Sequence, residues 1–126
     1  MKNRMPFLVL AFVLVALPTL AADVTGKWTT SFDTQIGPQK YTFDLKAAGE
    51  KLTGKAAFER MGQTGEADLV EGTVAGDEVS FVEMFDAMGT PVRIEYKGKV
   101  KGDEIAFTRK VGEFATEQFV ATRVKN

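Results

Sequence analysis

The sequence contains no cysteine and no histidine. Without cysteine there is no disulfide, no thiolate nucleophile and no cysteine-based zinc site. Without histidine the usual general base near neutral pH is missing, as is the commonest nitrogen ligand for metals. The serines are Ser31 and Ser80, both at positions expected to face outward on strands. No stretch forms a nucleophile elbow, a phosphate loop or a calcium loop. An enzyme built from this chain would have to work with carboxylates, Lys, Arg or Tyr alone, so the chain reads as non-enzymatic and implies no cofactor and no metal. There is no run of like charge and no basic face, which argues against nucleic acid as a partner.

After residue 20 there is no long apolar run either. The one such run lies at the amino terminus. Lys2 and Arg4 precede an unbroken apolar segment from Phe7 to Leu17, Pro18 interrupts it, and Thr19-Leu20-Ala21-Ala22 supplies small residues. This is the layout of a cleaved secretory signal; the other readings are a buried helix or an uncleaved anchor. The run is short for a membrane span, which takes roughly 20 residues. Residues 1–22 are therefore expected to be removed on export. Residues 23–126 would remain as one mildly acidic domain, in a bacterial periplasm or outside the cell, with no membrane span. A small exported domain without disulfides needs another source of stability, and a continuous hydrogen-bonded sheet around a dense core supplies one.

What the chain does contain is a repeat. Gly72 to Glu83 reads Gly-Thr-Val-Ala-Gly-Asp-Glu-Val-Ser-Phe-Val-Glu, and Gly98 to Arg109 reads Gly-Lys-Val-Lys-Gly-Asp-Glu-Ile-Ala-Phe-Thr-Arg. Leu45, Gly49, Glu50 and Leu52 make a fainter third copy. Each copy is a strand, a tight Gly-acid turn and a returning strand. Between and around them the period is two, not 3.6. Trp28, Thr30 and Phe32 share one face of the first strand; Tyr41, Phe43 and Leu45 one face of the second; Leu52, Gly54, Ala56 and Phe58 one face of the third.

The fourth strand is ambiguous. Matching it to the later copy turns Val70, Gly72 and Val74 inward and makes Asp68 an inward candidate, but Leu69 competes, and a bulge near Glu71 would also reconcile the pattern. Val79 and Phe81, then Ile94 and Tyr96, then Ile105 and Phe107 point inward on the fifth to seventh strands. In the eighth, Phe119 and Val120 compete. Eight short strands joined without crossovers predict an all-β fold: an eight-stranded antiparallel up-and-down β-barrel, whose closure removes both edges. The alternative is a two-sheet β-sandwich.

Gly26-Lys27-Trp28 at the start of the first strand and Arg123 near the end of the last resemble the Gly-x-Trp and late Arg of the lipocalin and wider calycin group. That resemblance implies that Trp28 and Arg123 form a closing pair at one end of the barrel. The chain is shorter than typical lipocalins and has no disulfide and no helix after the last strand. Over residues 23–126 it is similar to uncharacterised small secreted bacterial β-barrel proteins with repeated Gly-Asp-Glu hairpins, a likeness that implies no activity.

The Gly-acid turns all fall at one end of such a barrel. The other end receives the connections 34–38, 59–66, 86–91 and 111–114, which are expected to be longer and carry Ile36, Met61, Met88, Val111 and Phe114. These residues could form a portal or a docking patch for a protein or polymer, or could fold inward and cork the barrel. The inward phase also brings Glu83 and Arg109 toward this end. They could pair with each other, or Arg109 could anchor the carboxylate of a ligand. Gly54 and Ala56 could leave room for a pocket against the third strand, or the phenylalanines could fill it. The leading expectation is a secreted binding module holding a small, mostly apolar ligand inside the barrel. Its wall would be Phe32, Tyr41, Phe43, Phe58, Phe81, Ile94, Tyr96 and Phe107, with Glu83 and Arg109 at the mouth. The alternative is a filled-core interaction domain acting through the loop-rich end.

Overall fold

The computed structural model describes residues 23–125; the expected export signal, residues 1–22, lies outside that range. Eight strands follow one another: β1 (Gly26–Thr34), β2 (Gly37–Ala48), β3 (Lys51–Arg60), β4 (Gln63–Ala75), β5 (Glu78–Ala87), β6 (Thr90–Lys101), β7 (Glu104–Val111) and β8 (Ala115–Arg123). Each pairs antiparallel with its neighbour and β8 returns to β1, so the sheet is a closed barrel and not a sandwich. Among the described residues there is no helix. Alternation of side chains across the pleat puts the apolar set of every strand inside. Trp28, Tyr41, Phe43, Leu45, Ile94, Tyr96 and Ile105 are all essentially inaccessible.

Two expectations about β4 are corrected. Val70 is exposed and Leu69 is buried, and Asp68 is exposed rather than inward. The cause is a bulge. The register slips by one residue against both β3 and β5, and Glu71 takes a left-handed φ of 54°. One extra residue therefore restores Val74 to the core after Leu69. On the outer face the Glu71 carboxylate accepts two hydrogen bonds from Arg93, at 2.6 and 2.9 Å, which holds its pKa below the usual carboxylate range. In β8 the competition resolves to Phe119 inward and Val120 outward.

The connections opposite the Gly-acid turns are also shorter than expected. Pairing continues through Lys40↔Glu59 and Gln39↔Arg60, so the expected loop 59–66 shrinks to Met61-Gly62. Likewise 86–91 shrinks to Met88-Gly89, and 34–38 to Gln35-Ile36. The segment 111–114 becomes a three-residue turn closed by the Phe114 N–H donating to the Val111 carbonyl at 2.9 Å. Apart from that three-residue turn, the two ends thus differ in turn chemistry and not in turn length. Gly49, Gly76 and Gly102 take left-handed φ at the first turn position of one end. At the other end Met61 (φ 54°) and Gly62 (φ 73°), and again Met88 (φ 55°) and Gly89 (φ 91°), are left-handed at both positions. Hairpins of the second kind normally place Asn, Asp or Gly first.

The end with the Gly-acid turns is closed. The Arg123 guanidinium lies 4.3 Å from the Trp28 ring centroid, a contact worth about 0.5–2 kcal/mol. Arg123 also donates to the carbonyls of Asp23 and Thr25 and to the Asp103 carboxylate. The Trp28 indole N–H donates to the Val24 carbonyl at 2.9 Å, and Val24 is fully buried. Residues 23–25 are thus tied across this end as a lid.

Candidate functional site

The middle of the barrel is filled with aromatic rings. The Phe43, Phe81 and Phe107 centroids lie 5.4–5.6 Å from one another, Tyr96 lies 4.9 Å from Phe81, and Phe32 stacks on Phe119 at 4.2 Å. Such separations are those of packed rings. No room is left beside Gly54, where an added Cβ would lie 2.1 Å from the Asp44 carbonyl oxygen, and Ala56 is fully buried. Of the residues placed on a ligand wall by periodicity, Tyr41, Phe43, Phe81, Ile94, Tyr96 and Phe107 are buried against one another, while Phe32 and Phe58 are half-buried.

Above the rings lies a layer of polar groups. Glu83 on β5 is fully buried and Arg109 on β7 nearly so. They are joined through two tyrosines. The Tyr96 hydroxyl donates to Glu83 Oε1 at 2.7 Å and accepts from Arg109 Nε at 3.0 Å. The Tyr41 hydroxyl donates to Glu83 Oε2 at 3.3 Å and accepts from Arg109 Nη2 at 3.2 Å and Arg60 Nη1 at 3.0 Å. Arg109 Nη1 donates to the Glu117 carboxylate, and Arg60 Nη2 stands 3.9 Å from Glu83. The Arg60 guanidinium is held between the rings of Phe58 and Phe85, at 3.8 and 4.3 Å. Two cations and two carboxylates balance, and both tyrosine protons have acceptors. That is the condition under which a buried polar cluster is tolerated.

Sequence periodicity found Tyr41, Glu83, Tyr96 and Arg109 but missed Arg60, Glu117 and Gln39. Each lies one step of two beyond an inward residue: Arg60 after Phe58, Gln39 before Tyr41, Glu117 before Phe119. The signal was present: the expected loop 59–66 hid Arg60, Gln39 lay just ahead of the expected second strand, and the open choice between Phe119 and Val120 left Glu117 unplaced.

Burial, and next the Glu83 carboxylate, push the pKa of both tyrosines above the ordinary phenol value of 10, Tyr96 well above it. Burial opposes the charge on Arg109, but its oxygen neighbours outweigh it and hold the pKa above the ordinary value. A phenol whose folded pKa is raised contributes stability that is complete below the unfolded pKa and is lost as pH rises through the folded value. The chain has two tyrosines, both in this layer. The phenolate absorbance of the native protein is therefore expected to stay flat through pH 10 and to rise only at higher pH, as the barrel loses stability. A normal titration centred at 10 in folded protein would contradict the burial of these hydroxyls.

Beside this layer, at the rim, is a half-open pocket of about 150 Å³. It spans the mouth of the barrel, lined from every strand but β4, and takes in the side where β1 and β8 part. These strands pair only at Trp28↔Arg123 and Thr29↔Thr122, and the Thr30 hydroxyl donating to the Val120 carbonyl at 2.9 Å is a further link toward the rim. Beyond it the Thr34–Ile36 corner faces Val111, Phe114 and Glu117 across the gap, with Arg109 and Gln39 also lining the pocket. Around the rim, Ile36, Met61, Met88 and Phe114 are 60%, 72%, 103% and 78% exposed, so they do not cork the barrel; Val111 is half-buried. Among the described residues, no group of three acidic side chains converges as a metal site would require. No protein-family model, curated protein or solved structure was found to match this chain.

Proposed function

We propose that this protein is an exported, non-enzymatic binding module that meets its ligand at the rim of a filled barrel. The ligand lies against Ile36, Met61, Met88 and Phe114, with an apolar group in the pocket beside Ile36 and Phe114. The observation that carries this reading is the pair of Met-Gly turns. Both methionines hold left-handed φ and stand exposed. A non-glycine residue there costs about 1–2 kcal/mol, and neither side chain recovers that cost by burial. Local strain without local gain is characteristic of functional positions. Methionine suits such a surface because its unbranched thioether adapts to different shapes. The packed rings favour this rim over a ligand site in the barrel interior. The polar cluster is compensated internally and has no nucleophile with an adjacent free base, which supports a non-enzymatic role.

Peroxide footprinting tests the proposal. Met84 is 48% exposed on the barrel wall and serves as the internal standard. In the concentrated export fraction of the cells that make the protein, Met61 and Met88 are expected to oxidise more slowly, relative to Met84, than in the isolated protein. Unchanged ratios would sink the rim as a contact surface. Replacing Met61→Asn and Met88→Asn together is expected to raise stability by about 0.5–2 kcal/mol. A loss of stability would mean that the methionines serve the fold instead.

A further inference from the structure

The lining of the pocket at the barrel mouth constrains what can enter it. A site of about 150 Å³ holds a guest the size of one benzene ring and is smaller than the clefts that enclose drug-sized molecules. Its walls include Ile36, Phe85, Val111 and Phe114. One of its lining residues, Gln39, carries an unsatisfied polar atom. Gln39 is only 4% exposed, and its Oε1 is buried with no hydrogen-bond partner.

Neighbouring groups decide which end of that amide is free. The Thr34 hydroxyl donates its single proton to the Gly37 carbonyl at 2.8 Å. It can therefore only accept from Gln39, and it does so from Nε2 at 3.3 Å. The Ile36 N–H donates to the same oxygen at 3.2 Å. The amide must present its NH₂ group to Thr34, and the orphan is an acceptor.

The cations nearby point elsewhere. Arg109 directs its three nitrogens at Tyr96, Glu117 and Tyr41, and Arg60 is directed at Tyr41 and Glu83. An anion entering the pocket would meet the Glu117 carboxylate and add a charge to a balanced set. The unmet requirement is for a donor.

We propose that the pocket takes an aromatic ring bearing a neutral hydrogen-bond donor, a phenol-like group, which donates to Gln39 Oε1. This deepens the rim reading and rests on it. Oε1 is sealed from solvent, so the donor reaches it as the Gln39 side chain turns toward the pocket, at the expense of the long contact with Thr34. A buried acceptor without a partner is costly, so a guest that satisfies it gains what an isosteric hydrocarbon does not.

The test is a titration of the protein with phenol, toluene and benzoate, followed by the backbone amide shifts of Ile36 and Phe114. Phenol is expected to bind about 3–10-fold more tightly than toluene, and benzoate more weakly than either. In Gln39→Met, which keeps the shape and removes the acceptor, phenol and toluene should bind alike. Phe114→Ala, at an exposed position, should weaken all probes together without unfolding the barrel. Equal affinities for phenol and toluene in the native chain, or a persisting difference in Gln39→Met, would overturn the donor inference while leaving the rim reading in place. Benzoate as the tightest probe would overturn it in favour of Arg109 as an anchor. No shift at either residue with any probe would remove both readings.

Discussion

Glu83→Leu is expected to lower the stability of the barrel by about 3–5 kcal/mol, the cost of leaving buried charge without its partner. Glu83 is the acceptor for both tyrosine hydroxyls and stands 3.9 Å from Arg60. Without it, Arg60 and Arg109 share the layer with Glu117 alone, and the protons of Tyr41 and Tyr96 lose their acceptors. Leucine fills most of the volume, so the loss reports electrostatics and hydrogen bonding and not a cavity. For a domain of this size the thermal midpoint should fall by at least roughly 12 °C. Removing Arg109 in the same chain, as Glu83→Leu with Arg109→Leu, should cost less than the sum of the two single changes, because the remaining charges balance again. Full additivity would mean that Glu83 and Arg109 are not coupled through the tyrosines.

The second large effect belongs to two glycines with no positive φ. A Cβ on Gly54 would lie 2.1 Å from the Asp44 carbonyl oxygen, and one on Gly72 would lie 2.0 Å from that of Leu52. The obstructing atom is backbone in both cases, so relief requires a neighbouring strand to move. Gly54→Ala and Gly72→Ala should each cost about 3 kcal/mol or more. Gly49→Ala is the control. Its φ is 63° but nothing lies within 4 Å of the added carbon, so it should cost only about 1–2 kcal/mol. Chemical denaturation of the three variants gives the order. If Gly49→Ala were the worst, close strand approach would not be what Gly54 and Gly72 provide.

Strand identity and inward phase were legible wherever period two ran unbroken between glycine turns. Tyr41, Glu83, Tyr96 and Arg109 were placed inward on that basis. Arg60, Gln39 and Glu117 were not. Arg60 fell in the expected loop 59–66 and Gln39 just ahead of the expected second strand, and the ladder that keeps both in strands comes from the partner across the hairpin, Gln39↔Arg60; the open choice between Phe119 and Val120 left Glu117 unplaced. The β4 phase failed for a related reason. Val70 and Leu69 are equally apolar, and only the slip in register at Glu71, imposed by β3 and β5 together, decides which faces inward.

The sequence by itself determined the all-β class, the hairpin order and most of the core, because alternation and turn chemistry are local properties of the chain. It also placed the apolar residues of the rim at one end, since strand parity alone assigns each turn to an end. Only the tertiary structure decided that the rings fill the barrel and that Glu83 and Arg109 meet through tyrosines. It alone decided that Met61 and Met88 stand out in left-handed turns and that one amide oxygen is left without a donor beside the rim. These depend on distances between side chains from strands far apart in sequence, and closure of the sheet sets those distances.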